Sequence, residues 1–241
     1  MNIKALNEAF KPMLAEERIR EFYRMFDAEK VLLTSSFGTN SVYLLHLISK
    51  VNRRQKVHFI NTNYLFEETI KYKNDIARDF TLEVIEARPD PTSHAITREE
   101  KTYKSNPDLC CGVNKVATLD AVLDDYNVWM AGVMNTQTDV RKDFDIFQIV
   151  HNKLKFMPLA DYSELEVQFY IKSLYLPPHP LKAQGYGSVG CTHCTSCGYD
   201  REGRWAGQSK TECGLHTLDG ERRTAKGGRQ TKIEEVDLVA L

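Results

Sequence analysis

The chain has 241 residues, enough for one large domain or one domain with a small appendage. Its 32 Lys plus Arg against 33 Asp plus Glu leave a net charge of −1 and a pI near 6.7, which removes any global electrostatic case for a nucleic-acid partner. With 42% hydrophobic and 27% charged residues the chain is neither disordered nor collagen-like. No apolar run approaches the roughly 18 residues of a membrane span, and the opening M-N-I-K-A-L-N-E-A-F-K-P lacks a signal-peptide pattern, so a cytoplasmic protein without a membrane partner is expected.

In chain order, Ile3, Leu6, Phe10, Leu14, Ala15, Ile19, Phe22 and Phe26 step mostly by threes and fours, which predicts helix with a break or a new first turn at Pro12. Val31 to Leu33 reads as a strand, T-S-S-F-G-T-N-S as a small-residue loop and Val42 to Val51 as a helix. The unit recurs: strand Val57 to Ile60, loop N-T-N-Y-L-F, helix Glu67 to Phe80, then strand Leu82 to Ala87. Asp90, Pro91, Thr92 and Ser93 read as a break, followed by a polar stretch, a helix Lys115 to Tyr126 and a strand Val128 to Val133. Phe144 to Val150 and Lys153 to Met157 look like a β excursion, and Ser163 with Glu166 forms a capping box for a helix running to Leu174. Alternating strands and helices predict an α/β fold, a parallel sheet flanked by helices. From Pro177 the periodicity ends, so the expected organisation is an α/β domain over 1–205 and a mobile C-terminal segment over 206–241. Within that segment, 221–241 reads as a mobile tail or a docking peptide.

Six cysteines in a reducing compartment point to metal or thiol chemistry, since structural disulfides are rare there. Adjacent Cys110 and Cys111 suit a disulfide with each other poorly. With the C-x2-C pair Cys191 and Cys194 they supply four thiolates, a set that fits zinc or an iron-sulfur cluster, the plain alternative being buried apolar thiols. Cys197 extends the run and reads chiefly as a bystander. Cys213 stands between Lys210 and His216, cations that would lower a thiol's pKa; the plain alternative is an inert surface thiol. The Ser35 to Ser41 loop can cradle a phosphate at a helix N-terminus, and Lys115, Arg201 and Arg204 are candidate anion ligands.

Taken in order, S-S-F-G-x-x-S, I-N-T-N-Y-L-F-E-E-T, C-C-x-x-x-K-V, H-P-L-x-x-Q-G-Y-x-S-V-G-C-x-x-C, R-E-G-R-W and K-T-E-C-G-L-H resemble the assimilatory sulfonucleotide reductases, from about Val31 to His216. The resemblance implies an adenine-nucleotide α-hydrolase-like fold and a [4Fe-4S] cluster on Cys110, Cys111, Cys191 and Cys194. It also implies reduction of adenosine 5′-phosphosulfate (APS) to sulfite and AMP. Cys213 is then the nucleophile that becomes an S-sulfocysteine, which thioredoxin or a similar dithiol reductant resolves. By the same carry-over Ser35, Ser36, Phe37, Gly38, Ser41 and Thr62 line the nucleotide site, and Lys115, Arg201, Arg204 and His216 meet the phosphate and sulfate.

This chain departs from the family where Met134 and Asn135 stand at an arginine pair, Asn61 replaces an acid and Asn114 replaces an arginine; Arg141 is retained. The 3′-phosphorylated substrate (PAPS) or another sulfur donor is therefore the alternative. A tRNA-thiolating ATP pyrophosphatase would need an Asp where Asn40 stands, and a zinc-stabilised binding module would leave Cys213 without a purpose. The sequence leaves oligomeric state open, a homo-oligomer included.

Overall fold

The computed structural model describes residues 2–150 and 152–216; the 221–241 tail lies outside the described residues, as does the 206–241 segment beyond 216. Helices α1 (Ile3–Phe10) and α2 (Ala15–Met25) flank Pro12, whose missing N–H cannot continue a helix. Their apolar faces reach the sheet, with Phe22 stacked on Phe156 at 4.3 Å. Next come β1 (Val31–Thr34), α3 (Ser41–Val51), β2 (Val57–Ile60), α4 (Glu67–Asp79) and β3 (Val84–Ala87). A helical excursion follows: α5 (Pro91–Glu99), α6 (Thr102–Ser105), α7 (Pro107–Cys111), a π-helical turn Gly112–Val116 and α8 (Ala117–Leu123). The chain then re-enters the sheet through β4 (Val128–Ala131), β5 (Phe147–Val150) and β6 (Lys153–Phe156), and α9 (Glu164–Ser173) closes the regular part. Among the described residues no helix is long and apolar enough to cross a membrane.

The sheet order is β3-β2-β1-β4-β6-β5, every pair parallel except β5 with β6. The expected α/β class is therefore observed, with one antiparallel edge. Strands β1 and β4 are almost wholly buried, as continuous apolar runs in a covered parallel sheet require. Because β1 has β2 on one side and β4 on the other, the order reverses between β1 and β4. A crevice opens beyond their carboxyl ends, the usual ligand position in such sheets.

Three local expectations need correction. Asp90 to Ser93 is a helix start: the Asp90 carboxylate accepts the Ser93 N–H at 2.8 Å and Pro91 occupies the first turn, where it costs no hydrogen bond. The helix expected from Lys115 starts as α8 at Ala117, because Gly112 to Val116 take the wider π turn. The supposed β excursion completes the sheet, since β6 pairs with β4. Ser163 caps α9 as expected: its N–H donates to Glu166 at 2.8 Å and its hydroxyl accepts the Glu166 N–H at 3.2 Å.

Candidate active site

One cavity of about 260 Å³ lies at the β1/β4 switch point. Its first wall is the loop between β1 and α3, where the Gly38 N–H donates to Ser41 Oγ at 2.9 Å and the Phe37 N–H donates to Ser35 Oγ at 3.2 Å. Ser35, Ser36, Gly38, Ser41 and Thr62 line the cavity. Phe37 does not, which corrects the expectation for it. Its backbone is left-handed (φ 48°), and its ring is fully buried edge-on to Phe59 at 5.6 Å, so it anchors the loop to the core.

Beside the cavity the four paired cysteines meet in a buried cluster with Tyr64 and Trp205, separate from the main core. α7 delivers Cys110 and Cys111, and the π turn after it buries Asn114 and Lys115. Cys191 is held by a bridge to Leu65, the Thr192 N–H donates to Tyr64 O at 2.7 Å, and the Trp205 N–H donates to Cys194 O at 3.0 Å. Burial pushes the thiols of Cys110 and Cys194 up, and that of Cys111 to about 12. Asn114, at the position of the missing arginine, donates to Cys110 O at 2.9 Å and approaches Cys110 Sγ at 3.7 Å, while its oxygen meets His94 Nδ1 at 2.7 Å. The Tyr64 hydroxyl and the Trp205 indole nitrogen are buried without a hydrogen bond of good geometry, the hydroxyl lying toward Thr97 and the indole toward Cys194. Cys197 is exposed and outside the cluster, its thiol directed to Gln184 O at 3.4 Å. Thr62 joins the two regions, with Oγ1 3.3 Å from Cys191 Sγ.

The rest of the lining is cationic. Lys115, Arg141, Arg201 and Arg204 all line the cavity, and the first two are buried. Arg204 lies beneath Gly190, where any side chain would collide with its guanidinium, and stacks 4.6 Å from the Trp205 ring centroid. Burial lowers Arg201 to about 10; Glu212 opposes that fall, and the like charges of Arg141 and Arg204 add to it. Arg201 and Arg204 each bury an Nε that has no acceptor among the described residues. Glu212, itself buried, takes a double ion pair from Arg141 at 2.8 Å and a hydrogen bond from Thr138 at 2.8 Å. This pair seats the neighbouring Cys213 in the cavity, half-buried and packed on the cysteine cluster.

Burial by itself would raise the Cys213 thiol, but Lys115, the Leu215 N–H and Arg204 carry it below its ordinary value. The cations responsible are thus not the flanking pair expected from sequence. Lys210 is ion-paired with Asp108 of α7, and His216 stacks on Trp129 at 5.2 Å while lining the cavity.

Of the residues expected to hold substrate, cluster or nucleophile, Phe37 alone falls outside both the cavity lining and the cysteine cluster; Cys197 and Lys210 also lie outside both. Met134 is a core residue and Asn135 turns its amide toward Phe144 O at 3.5 Å, so the cation presented from that loop is Arg141. Trp129, Glu212 and Lys155 were not singled out in the sequence. Glu212 had a signal in its place beside Cys213, whereas the other two read as ordinary strand residues.

A family model described as phosphoadenosine phosphosulfate reductase domain matches residues 30–197. Adenosine 5′-phosphosulfate reductase of Bacillus mycoides (strain KBAB4) is 36% identical over 197 residues, covering 78% of this chain and 84% of its own length. That of Bacillus cereus (strain 03BB102) is 36% identical over 203 residues, covering 80% and 86%. Among solved structures, phosphoadenylyl-sulfate reductase from Candida auris in its phosphate complex aligns with a TM-score of 0.68 at 21% identity, over 80% of this chain and 96% of that one. FMN adenylyltransferase of Candida glabrata aligns at 0.54 and 13% identity, over 79% and 63%. At these identities the structural likeness concerns the fold, the adenine-nucleotide α-hydrolase-like class expected above.

Proposed function

The chain belongs to the phosphoadenosine phosphosulfate reductase domain family, and from that premise we propose that it reduces APS to sulfite and AMP by way of Cys213. The observation that carries this reading is that Cys213 shares one cavity with Lys115, Arg201, Arg204 and the Ser35 to Ser41 loop, an arrangement in which Lys115 and Arg204 hold its thiol below its ordinary pKa. The hydroxyls of Ser35, Ser36, Ser41 and Thr62, with the Gly38 backbone, hold the nucleotide. Lys115, Arg201, Arg204 and His216 face the phosphosulfate, and Arg141 adds to their field.

The Cys213 thiolate attacks the sulfur of APS; an S–S bond forms, the S–O bond to the phosphate breaks, and AMP leaves with that electron pair. The adjacent cations offset the charge gathering on the departing phosphate oxygen, the type of stabilisation that contributes most in such sites. A thiolate of a dithiol reductant of the thioredoxin class then attacks Cys213 Sγ. Sulfite leaves with the S–S electron pair, and the reductant's second thiol regenerates Cys213 as the reductant becomes a disulfide. The two electrons gained by sulfur are those lost by the dithiol.

Four buried cysteines delivered from two segments fit a [4Fe-4S] cluster on Cys110, Cys111, Cys191 and Cys194. Zinc is the competing occupant of the same four thiolates, and metal analysis with an absorption spectrum separates the two. The Trp205 indole N–H, directed at Cys194, is an apt donor to sulfur in the same cluster. When bound, the cluster cross-links α7 to the C-x2-C turn. The reducing environment such a centre needs agrees with a cytoplasmic enzyme.

The test is an anaerobic assay of sulfite release from APS and from PAPS with thioredoxin as reductant. APS turnover well above PAPS turnover is expected. Preference for PAPS would reassign the substrate, and release from neither would reject the reading.

A further inference from the structure

Lys155 stands on β6 with 0% of its surface exposed, a place lysines almost never occupy unless their charge is matched. Its Nζ lies 4.3 Å from the centroid of Trp129 and 5.1 Å from that of Phe144, two π faces that attract a cation. The same nitrogen is 3.2 Å from Nδ1 of His216. As an ammonium Lys155 has donors and no acceptor; in that state the imidazole Nδ1 accepts in this contact, and the proton of the ring resides on Nε2. Trp129 fixes the plane of the ring: it stacks on His216 at 5.2 Å with 17° between the planes, and its own N–H is tied to Thr34 Oγ1 at 2.8 Å. His216, Trp129 and Thr34 all line the cavity that holds Cys213.

We propose that Lys155 is a positioning residue that fixes His216 as its Nε2–H tautomer, so that the cavity presents a neutral, oriented N–H donor to the sulfonucleotide. The inference deepens the reading of this cavity as a sulfonucleotide site and rests on it. Lys115, Arg201 and Arg204 already supply positive charge there. What His216 adds is direction, a single donor locked in angle by the ammonium on one ring nitrogen and by the indole against the ring face. Lys155 reaches the chemistry through His216.

The experiment joins a spectrum to a mutant cycle. In 15N-histidine-labelled holoenzyme without substrate, the long-range proton-nitrogen spectrum of His216, assigned with His216→Asn, is expected to show a protonated Nε2 and a bare Nδ1. Lys155→Met should lose the dominance of that tautomer and lower kcat/KM for APS about tenfold, the scale of one charge-assisted hydrogen bond. Lys155→Arg, which keeps the charge, should recover part of the loss. The double variant Lys155→Met with His216→Asn should be no slower than His216→Asn alone. A wild-type His216 protonated on Nδ1, or losses that add in the double variant, would overturn the proposal. Should Lys155→Met fail to fold, as judged by circular dichroism and iron content, the wild-type spectrum still decides. That spectrum involves no substrate, so a wild-type enzyme inactive on APS would reject the reaction assigned above and leave the tautomer result separately legible.

Discussion

The two walls of the cavity are built in different ways. The Ser35 to Ser41 wall hangs between β1 and α3, its geometry fixed by regular elements, a buried Phe37 and short hydrogen bonds to Ser35 and Ser41. The charged side draws Lys115 from the π turn before α8, Arg141 from a short turn after β4, and Arg201 and Arg204 from the stretch after α9, where the described residues form only the short turns Pro180–Gln184 and Thr192–Cys194 and isolated bridges. It is held by individual polar contacts: Arg141 with Glu212, Lys210 with Asp108, and Arg204 under Gly190. Periodic burial can place hydroxyls and backbone N–H groups, but it cannot gather four like charges around a thiol. Each cation there needs its own counter-contact, and those contacts also seat Cys213. The nucleotide side of the cavity thus rests on one strand-to-helix loop, whereas the sulfur side is assembled from separate segments, Lys115 from the helical stretch and Arg141, Arg201, Arg204 and Cys213 from loops.

The comparison breaks most readily at Lys115, the first cation acting on Cys213. Lys115→Met should cut kcat/KM for APS by about 10²–10³, the range for removing one preorganised stabiliser of transition-state charge. A loss under threefold would show that the cationic wall is not where the chemistry is stabilised. His179 tests how the irregular wall is moored. It is buried at the start of that wall, meeting Thr69 Oγ1 of α4 at 3.1 Å and accepting the Leu181 N–H at 3.2 Å. Burial lowers its pKa from 6.5 to about 4, with Glu68 opposing. The unfolded chain therefore takes up a proton near pH 6.5 that the native state refuses. Stability falls as pH drops through the window from 6.5 to about 4 and gains no further loss from this group below it, about 3 kcal/mol in all. Urea midpoints across that window should fall less steeply in His179→Asn than in wild type; parallel slopes would remove His179 as the mooring point. The smallest effect belongs to the neutral wall. Ser41→Ala leaves the Gly38 N–H without its acceptor, a loss of about 1 kcal/mol, and should raise KM for APS about fivefold with kcat unchanged. A matching fall in kcat would mean that this wall shares in the chemistry.

The same division governs what the sequence discloses. β2 occupies the span its apolar run predicts and Ser163 caps α9, because burial period and capping chemistry are local. Asp90-Pro91-Thr92-Ser93 carries both signals at once, a proline that breaks a helix in its interior and a cap that starts one, and here the cap prevails because Pro91 sits in the first turn. The π turn at Gly112–Val116 leaves no periodic mark, so Lys115 was placed on a regular helix. Phe37 stood inside a motif yet turns to the core, since its left-handed backbone reverses the side chain's direction. The mate of Glu212 is Arg141, 71 residues away in sequence, a pairing that only the fold creates. Lys155 alternates correctly for a strand and so gave no sign that its charge is buried against Trp129.

The account stands or falls on Cys213 as the atom that receives the sulfo group. Wild type and Cys213→Ser, each checked for equal iron content, are incubated with radiosulfur-labelled APS in the absence of reductant, and protein-bound label is mapped by mass spectrometry. The account predicts label on Cys213 of the wild type, discharged as sulfite when thioredoxin is added, and no label on the serine variant. Label on Cys197, or undiminished sulfite release by Cys213→Ser, would contradict it.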